Sequence, residues 1–126
     1  MLRIVYPDAR FSDEGDIERA ILNGRNDVEV DIFHEQPDGS SLVPDRYFAE
    51  CHALVVFHKL KIDRALLDRA PRCRLIVRAG VGLNNIDLGA CGMRGIPVCN
   101  VPDYGTYEVA DHTISLLLTL VRGTAA

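Results

Sequence analysis

Ala53-Leu54-Val55-Val56-Phe57 is apolar at every position. A strand with one wet face alternates apolar and polar side chains. A short unbroken apolar run is the pattern of a strand covered on both faces. Such strands lie inside parallel sheets, whose neighbours must be joined by long crossovers, usually helices. This run therefore restricts the chain to a small group of α/β architectures.

The flanking sequence supplies the other elements. Leu2 to Tyr6 reads as the first strand, ended by Pro7 and Asp8. Ser12 or Asp13 can cap a first helix, whose Ile17, Ala20, Ile21 and Leu22 share one stripe, and Asn23-Gly24 stops it. Val28 to Phe33 alternates and reads as the second strand. A turn-rich loop from Gln36 to Pro44 contains Pro37-Asp38-Gly39, and a short helix is expected over Asp45 to Glu50. Asp63 caps a third helix with Leu66, Leu67 and Ala70 inward, closed by Pro71. Arg74 to Arg78 is the fourth strand, Ile86 to Met93 the fourth helix, and Ile96 to Asn100 the fifth strand. Tyr107 to Arg122 has a strong helical pattern.

Strands alternating with helices predict a doubly wound parallel α/β domain. The flavodoxin-like order 2-1-3-4-5 is the simplest arrangement that right-handed crossovers allow. The last helix carries Ile114, Leu116, Leu117, Leu118, Leu120 and Val121, which surround much of its circumference. A helix apolar over so much of its surface is expected to dock on another domain or subunit.

A chain of 126 residues fits one domain. Its net charge of −4 and lack of a basic cluster argue against nucleic acid as a partner. The N-terminus is too short and too quickly polar for a signal peptide, and the apolar run Ile114 to Val121 is too short to span a membrane. A cytoplasmic location is expected. Cys51, Cys73, Cys91 and Cys99 form no C-x-x-C pair and have no zinc-ligand spacing with histidine. They read as small buried hydrophobes in a reducing compartment.

Chemistry concentrates at Gly80-Val81-Gly82-Leu83-Asn84-Asn85, a glycine turn between the fourth strand and the next helix. Three readings are open. The run nearly matches G-x-G-x-x-G, with Asp103 about 20 residues on, as in a dinucleotide fingerprint; however, Asn85 replaces the third glycine and the turn follows the fourth strand instead of opening the domain. Alternatively, the amides near Val81 and Gly82, with the start of the fourth helix, hold a small anion such as a carboxylate. Or the glycines serve only the tight turn.

The run Arg78-Ala79-Gly80-Val81-Gly82-Leu83-Asn84-Asn85-Ile86-Asp87, then Ala90, then Gly95-Ile96-Pro97-Val98-Cys99-Asn100-Val101-Pro102, then Glu108-Val109-Ala110-Asp111-His112, resembles the D-isomer-specific 2-hydroxyacid dehydrogenase family. That family includes glyoxylate/hydroxypyruvate reductases, phosphoglycerate dehydrogenases and C-terminal-binding-protein corepressors. The resemblance covers about residues 74–122; residues 1–73 match in strand–helix layout only. It implies a substrate (catalytic) domain over 1–102 and, over 103–126, a crossover helix leading to a Rossmann domain that binds NAD or NADP. It also implies that amides at Val81 and Gly82, beside Gly80, bind the carboxylate of a small 2-oxo or 2-hydroxy acid. Phe57, His58 and Lys59, at the end of the third strand, would face the substrate, with Lys59 able to neutralise a carboxylate. Thr106 and Val109 would approach the nicotinamide, and the helix 107–122 would contribute to a homodimer.

The family's glycine fingerprint and its catalytic arginine, glutamate and histidine have no match in residues 1–126. His112 follows Asp111, but adjacent helical residues do not face each other. His34, His52 and His58 have no evident carboxylate partner in sequence. The expectation is therefore the N-terminal part of an NAD(P)-dependent oxidoreductase, inactive alone. The alternative within the family is a corepressor-like interaction protein. A receiver-type signalling domain shares the layout, but its acidic pair, aspartate and lysine are replaced by Pro7-Asp8, Phe57-His58 and Asn100-Val101-Pro102.

Overall fold

The computed structural model describes residues 1–10, 12–38 and 42–123. Gly39, the last residue of the Pro37-Asp38-Gly39 turn, lies outside them. The elements are β1 (Leu2–Ala9), α1 (Asp16–Ile21), β2 (Val28–His34), α2 (Asp45–Glu50), β3 (Ala53–Val56), α3 (Arg64–Arg69), β4 (Leu75–Arg78), α4 (Leu88–Met93), β5 (Val98–Cys99) and α5 (Thr106–Arg122). The strands form one sheet in the order β2-β1-β3-β4-β5, and every pairing is parallel. This is the flavodoxin-like arrangement expected from the sequence.

The register separates the two faces. Val5, Leu54 and Ile76 are side-by-side partners, and all three are fully buried. With Val56 they form the floor of the core, which α2, α3 and α4 close through Phe48, Leu66, Leu67, Ala90 and Cys91. Phe33 stands edge-on to Tyr47 of α2, with ring centroids 4.8 Å apart. The opposite face carries Ile4, Ala53, Val55 and Val77, which stay only half-buried. Strand β3 is thus covered on one face and half open on the other, not covered on both. On that face α1 is tethered by the Tyr6 hydroxyl, which donates to Glu18 Oε1 at 3.1 Å, and neither α1 nor α5 contributes a buried residue.

Several boundaries move. β1 does not stop at Tyr6: its pairing with β2 breaks across Pro7, which has no N–H, and resumes at Ala9 opposite His34. α1 is capped by neither Ser12 nor Asp13. Gly15, at φ 70°, is the cap residue, and Asp13 Oδ1 accepts the Gly15 N–H at 3.0 Å. Ile17 and Ile21 of that helix are about three-quarters exposed, so its stripe is not part of the core. α4 begins at Leu88 because Ile86 is used in a bridge to Ile62. β5 shrinks to two residues. Asp63 caps α3 as expected, accepting the Leu66 N–H at 3.0 Å.

Three cysteines are buried, but Cys99 is exposed on the more open face. Cys51 and Cys73 precede β3 and β4 by the same two-residue offset. Their thiols share a hydrogen bond that, with burial, raises the Cys51 thiol far above its ordinary range. None of the described helices is long and apolar enough to cross a membrane.

Candidate functional site

Two loops at the carboxyl end of the sheet build the site. The first follows β3 and runs Phe57–Leu60. Asp8, one of the few buried charged residues, accepts three backbone N–H groups from it: Phe57 at 2.9 Å, Lys59 at 3.2 Å and Leu60 at 3.1 Å. A carboxylate desolvated this far is tolerable because charge-assisted bonds replace its water. The second loop follows β4 and holds the glycine turn. Asn85 joins the two, donating both side-chain hydrogens to Phe57 O (3.3 Å) and Leu60 O (2.9 Å). The Ile62 N–H donates to Asn85 O, and the Asp87 N–H to Ile62 O, each at 2.8 Å.

Within the turn, the carbonyls are tied back and the amides are left over. Val101 N–H donates to Gly80 O at 3.0 Å, and Asn100 Nδ2 to Val81 O at 2.8 Å. The N–H groups of Val81 and Gly82 reach no protein acceptor among the described residues, and both residues are exposed. Gly80 has φ 154°, and a Cβ there would lie 1.5 Å from Arg78 Nη1. Glycine is therefore required by the backbone, whereas the end of the Arg78 side chain packed against it can swing aside.

A cavity of about 350 Å3 collects His58, Arg78, Gly82, Asn84 and Asn85. Arg78 Nη1 donates only weakly, to Ala79 O at 3.4 Å, and its buried Nε has no partner. A cation short of acceptors thus shares one concavity with an unpaired amide. That combination suits an anion. No residue of α4 lines this cavity, and Asp87 Oδ1 accepts the Ala90 N–H at 2.9 Å. Lys59 turns its charge elsewhere, with Nζ 3.7 Å from Glu35 Oε2. Thr106 and Val109 lie exposed on the first turn of α5, away from this cavity's lining.

The structure thus brings His58 and Gly82 together, with Gly80 and Val81 beside them. It adds Arg78, Asn85 and Asp8, which sequence reading had not placed in a site. In sequence Asn85 stands only where a third glycine would be and within the family-like run. Arg78 and Asn85 lie within the motif run, so their polarity beside the glycines was a usable signal. For Asp8, 49 positions before its first partner, no local signal exists.

The family model for the D-isomer specific 2-hydroxyacid dehydrogenase catalytic domain matches residues 11–123. The chain belongs to that family. Among curated relatives of the family, D-3-phosphoglycerate dehydrogenase of Mycobacterium leprae (strain TN) is 38% identical over 76 residues, which are 60% of this chain and 14% of that protein. The Archaeoglobus fulgidus D-3-phosphoglycerate dehydrogenase is 41% identical over 70 residues, 56% of this chain and 13% of its own length. Among solved structures, D-lactate dehydrogenase from Aquifex aeolicus, complexed with NAD and lactic acid, superposes with a TM-score of 0.76 at 27% identity. It is matched over 94% of this chain and 33% of its own. An NADPH-dependent glyoxylate/hydroxypyruvate reductase from Sinorhizobium meliloti, in complex with NADP and malonate, gives 0.66 at 28%, over 94% and 34%. This member of the family spans about a third of such structures and about a seventh of the curated relatives.

The residues present do not fit a dinucleotide. In a dinucleotide fingerprint the first glycine makes the tight turn, the second lets the backbone approach the pyrophosphate and the third allows close helix–strand packing. Here the third position is Asn85, whose amide is committed to the neighbouring loop, and the guanidinium of Arg78 lies against Gly80. The dinucleotide reading of the turn is set aside.

Proposed function

We propose that this chain is the substrate-recognising part of an NAD(P)-linked oxidoreductase that interconverts small 2-oxo acids and D-2-hydroxy acids. One observation carries the reading: the unpaired Val81 and Gly82 amides lie beside the under-bonded guanidinium of Arg78. A carboxylate accepts two N–H groups from the turn and a charge-assisted bond from Arg78. Gly80 provides the backbone shape, and Asn85 with Asp8 fixes the loop that carries His58 at the rim. Lys59, on the same loop, is held by Glu35 and is left out of this clamp. The nicotinamide supplies hydride chemistry when bound by the remainder of the protein; the residues here bind and orient the acid.

Residues 1–102 then form the substrate domain, and 103–126 the crossover towards the cofactor domain, with Thr106 and Val109 facing the nicotinamide. The half-open sheet face and α5, which buries none of its side chains, are surfaces for that remainder or for a second copy. The partners are a small carboxylic acid and, through helix 107–122, a homodimer mate, in the cytoplasm and without nucleic acid.

Isotope-edited NMR of the chain titrated with pyruvate or glyoxylate tests this. Saturable shifts are expected at the amides of Val81 and Gly82, weakened about tenfold by Arg78→Ala. Shifts confined to other regions, or tight calorimetric binding of NADH to this chain, overturn the reading.

A further inference from the structure

The glycine-turn cavity is not the largest concavity among the described residues. Another, of about 800 Å3, is lined by His52, Arg72, Cys73, Arg74, Arg94 and Ile96, with neighbouring backbone. These positions immediately precede β3, β4 and β5, so this cavity lies off the amino ends of the strands. His58 and Gly82 follow β3 and β4, so the two cavities are at opposite ends of the sheet.

Three arginines and a histidine line one cavity in a chain of net charge −4. Arg94 is accounted for: its Nη1 donates to Leu67 O at 2.8 Å, and its other terminal nitrogen pairs with Asp68. A cation bonded to the last carbonyls of α3 is ordinary helix-end chemistry. Arg72 and Arg74 differ. Neither side chain makes a hydrogen bond or ion pair among the described residues. Glu29 and Glu50 line a small adjoining cavity with Arg72, and Arg3 pairs with both, at 2.5 and 2.6 Å, and with Asp31. His52 Nδ1 accepts the Arg3 N–H at 3.2 Å, so its proton sits on Nε2, which is a further donor.

Unspent donors from Arg72, Arg74 and His52 therefore line a concavity within the roughly 300–1,000 Å3 typical of small-molecule sites. Guanidinium forks match the oxygens of a tetrahedral dianion better than a lone monovalent ion. We propose that this arginine-lined cavity is a second binding site that takes a small phosphorylated anion, with Arg72 and Arg74 as its principal ligands and His52 as a third donor. It is independent of the carboxylate site at the glycine turn and does not rest on the oxidoreductase reading.

The test titrates the isotope-labelled chain with inorganic phosphate and pyrophosphate, against potassium chloride at matched ionic strength. Saturable shifts are expected at the amides of residues 72–74 and 94–96, with pyrophosphate binding tighter. Arg72→Ala and Arg74→Ala each weaken binding about tenfold, and the pair about a hundredfold. Both side chains are exposed and unpaired, so the variants keep the wild-type melting curve. Non-saturating shifts, equal shifts with chloride, a response at Val81 and Gly82 alone, or unchanged affinity in the double variant would each overturn the proposal.

Discussion

Asp8 Oδ2 accepts the backbone N–H of Leu60 at 3.1 Å across 52 positions of sequence. The same carboxylate holds Phe57 and Lys59, so one side chain at the end of β1 fixes the loop after β3. Asn85 grips the carbonyls of that loop from the β4 side. The loop's donors face one anchor and its acceptors the other.

Asp8→Ala leaves those three amide donors without an acceptor. Stability is expected to fall by about 3 kcal/mol in urea unfolding, since burying unsatisfied polar groups costs about 1–3 kcal/mol each and relaxation recovers part. Asp8→Asn keeps an acceptor oxygen but loses the charge, and lands between. A loss below about 1 kcal/mol for the alanine variant would show that the loop holds itself.

Gly80 and Gly82 separate backbone need from ligand need. Gly80→Ala is strained at φ 154° and pushes into the Arg78 guanidinium. The expected cost is about 1–3 kcal/mol, together with lost affinity for 2-oxo acids. The end of the Arg78 side chain can swing aside, so Gly80→Ala/Arg78→Ala keeps the φ strain and recovers little stability. At Gly82 a Cβ meets only Asn84 Oδ1 at 3.7 Å, an ordinary contact. Gly82→Ala therefore keeps the wild-type stability, and equal damage at both glycines would refute this assignment.

Tyr6 gives a pH signature. Burial, then the charge of Glu18, then the hydrogen bond to it raise the phenol's pKa well above the ordinary value of about 10. The folded chain therefore holds this proton more tightly than the unfolded chain. That contribution is complete below pH of about 10 and fades as pH rises towards the folded value. Unfolding free energy should decline on that alkaline limb, and Tyr6→Phe should flatten the decline. An unchanged slope in the variant would place the alkaline sensitivity in another group.

Helix α5 is expected to associate. Leu116, Leu117, Leu118 and Leu120 are between 52% and 83% exposed, more apolar surface than a helix keeps in water. Light scattering should show a concentration-dependent dimer, and Leu117→Glu with Leu120→Glu should return a monomer with an unchanged sheet signal in circular dichroism. A wild-type monomer that binds no hydrophobic dye counts against it.

The sequence alone determined the order and kind of the elements, the parallel 2-1-3-4-5 sheet, the Asp63 cap and the position of the glycine turn. Each is written in local terms: apolar periodicity, a capping side chain, glycine between strand and helix. The tertiary structure decided the rest. Only the fold brings Asp8 to Leu60, sets Arg78 against Gly80 and gives Asn85 two carbonyls to bind. It also decided that one sheet face is closed while the other stays half open, although β3 reads as apolar throughout. The physical reason is that periodicity reports which way a side chain points along its own strand or helix. What meets that side chain there depends on segments tens of residues away, and the strand's own residues carry no record of them.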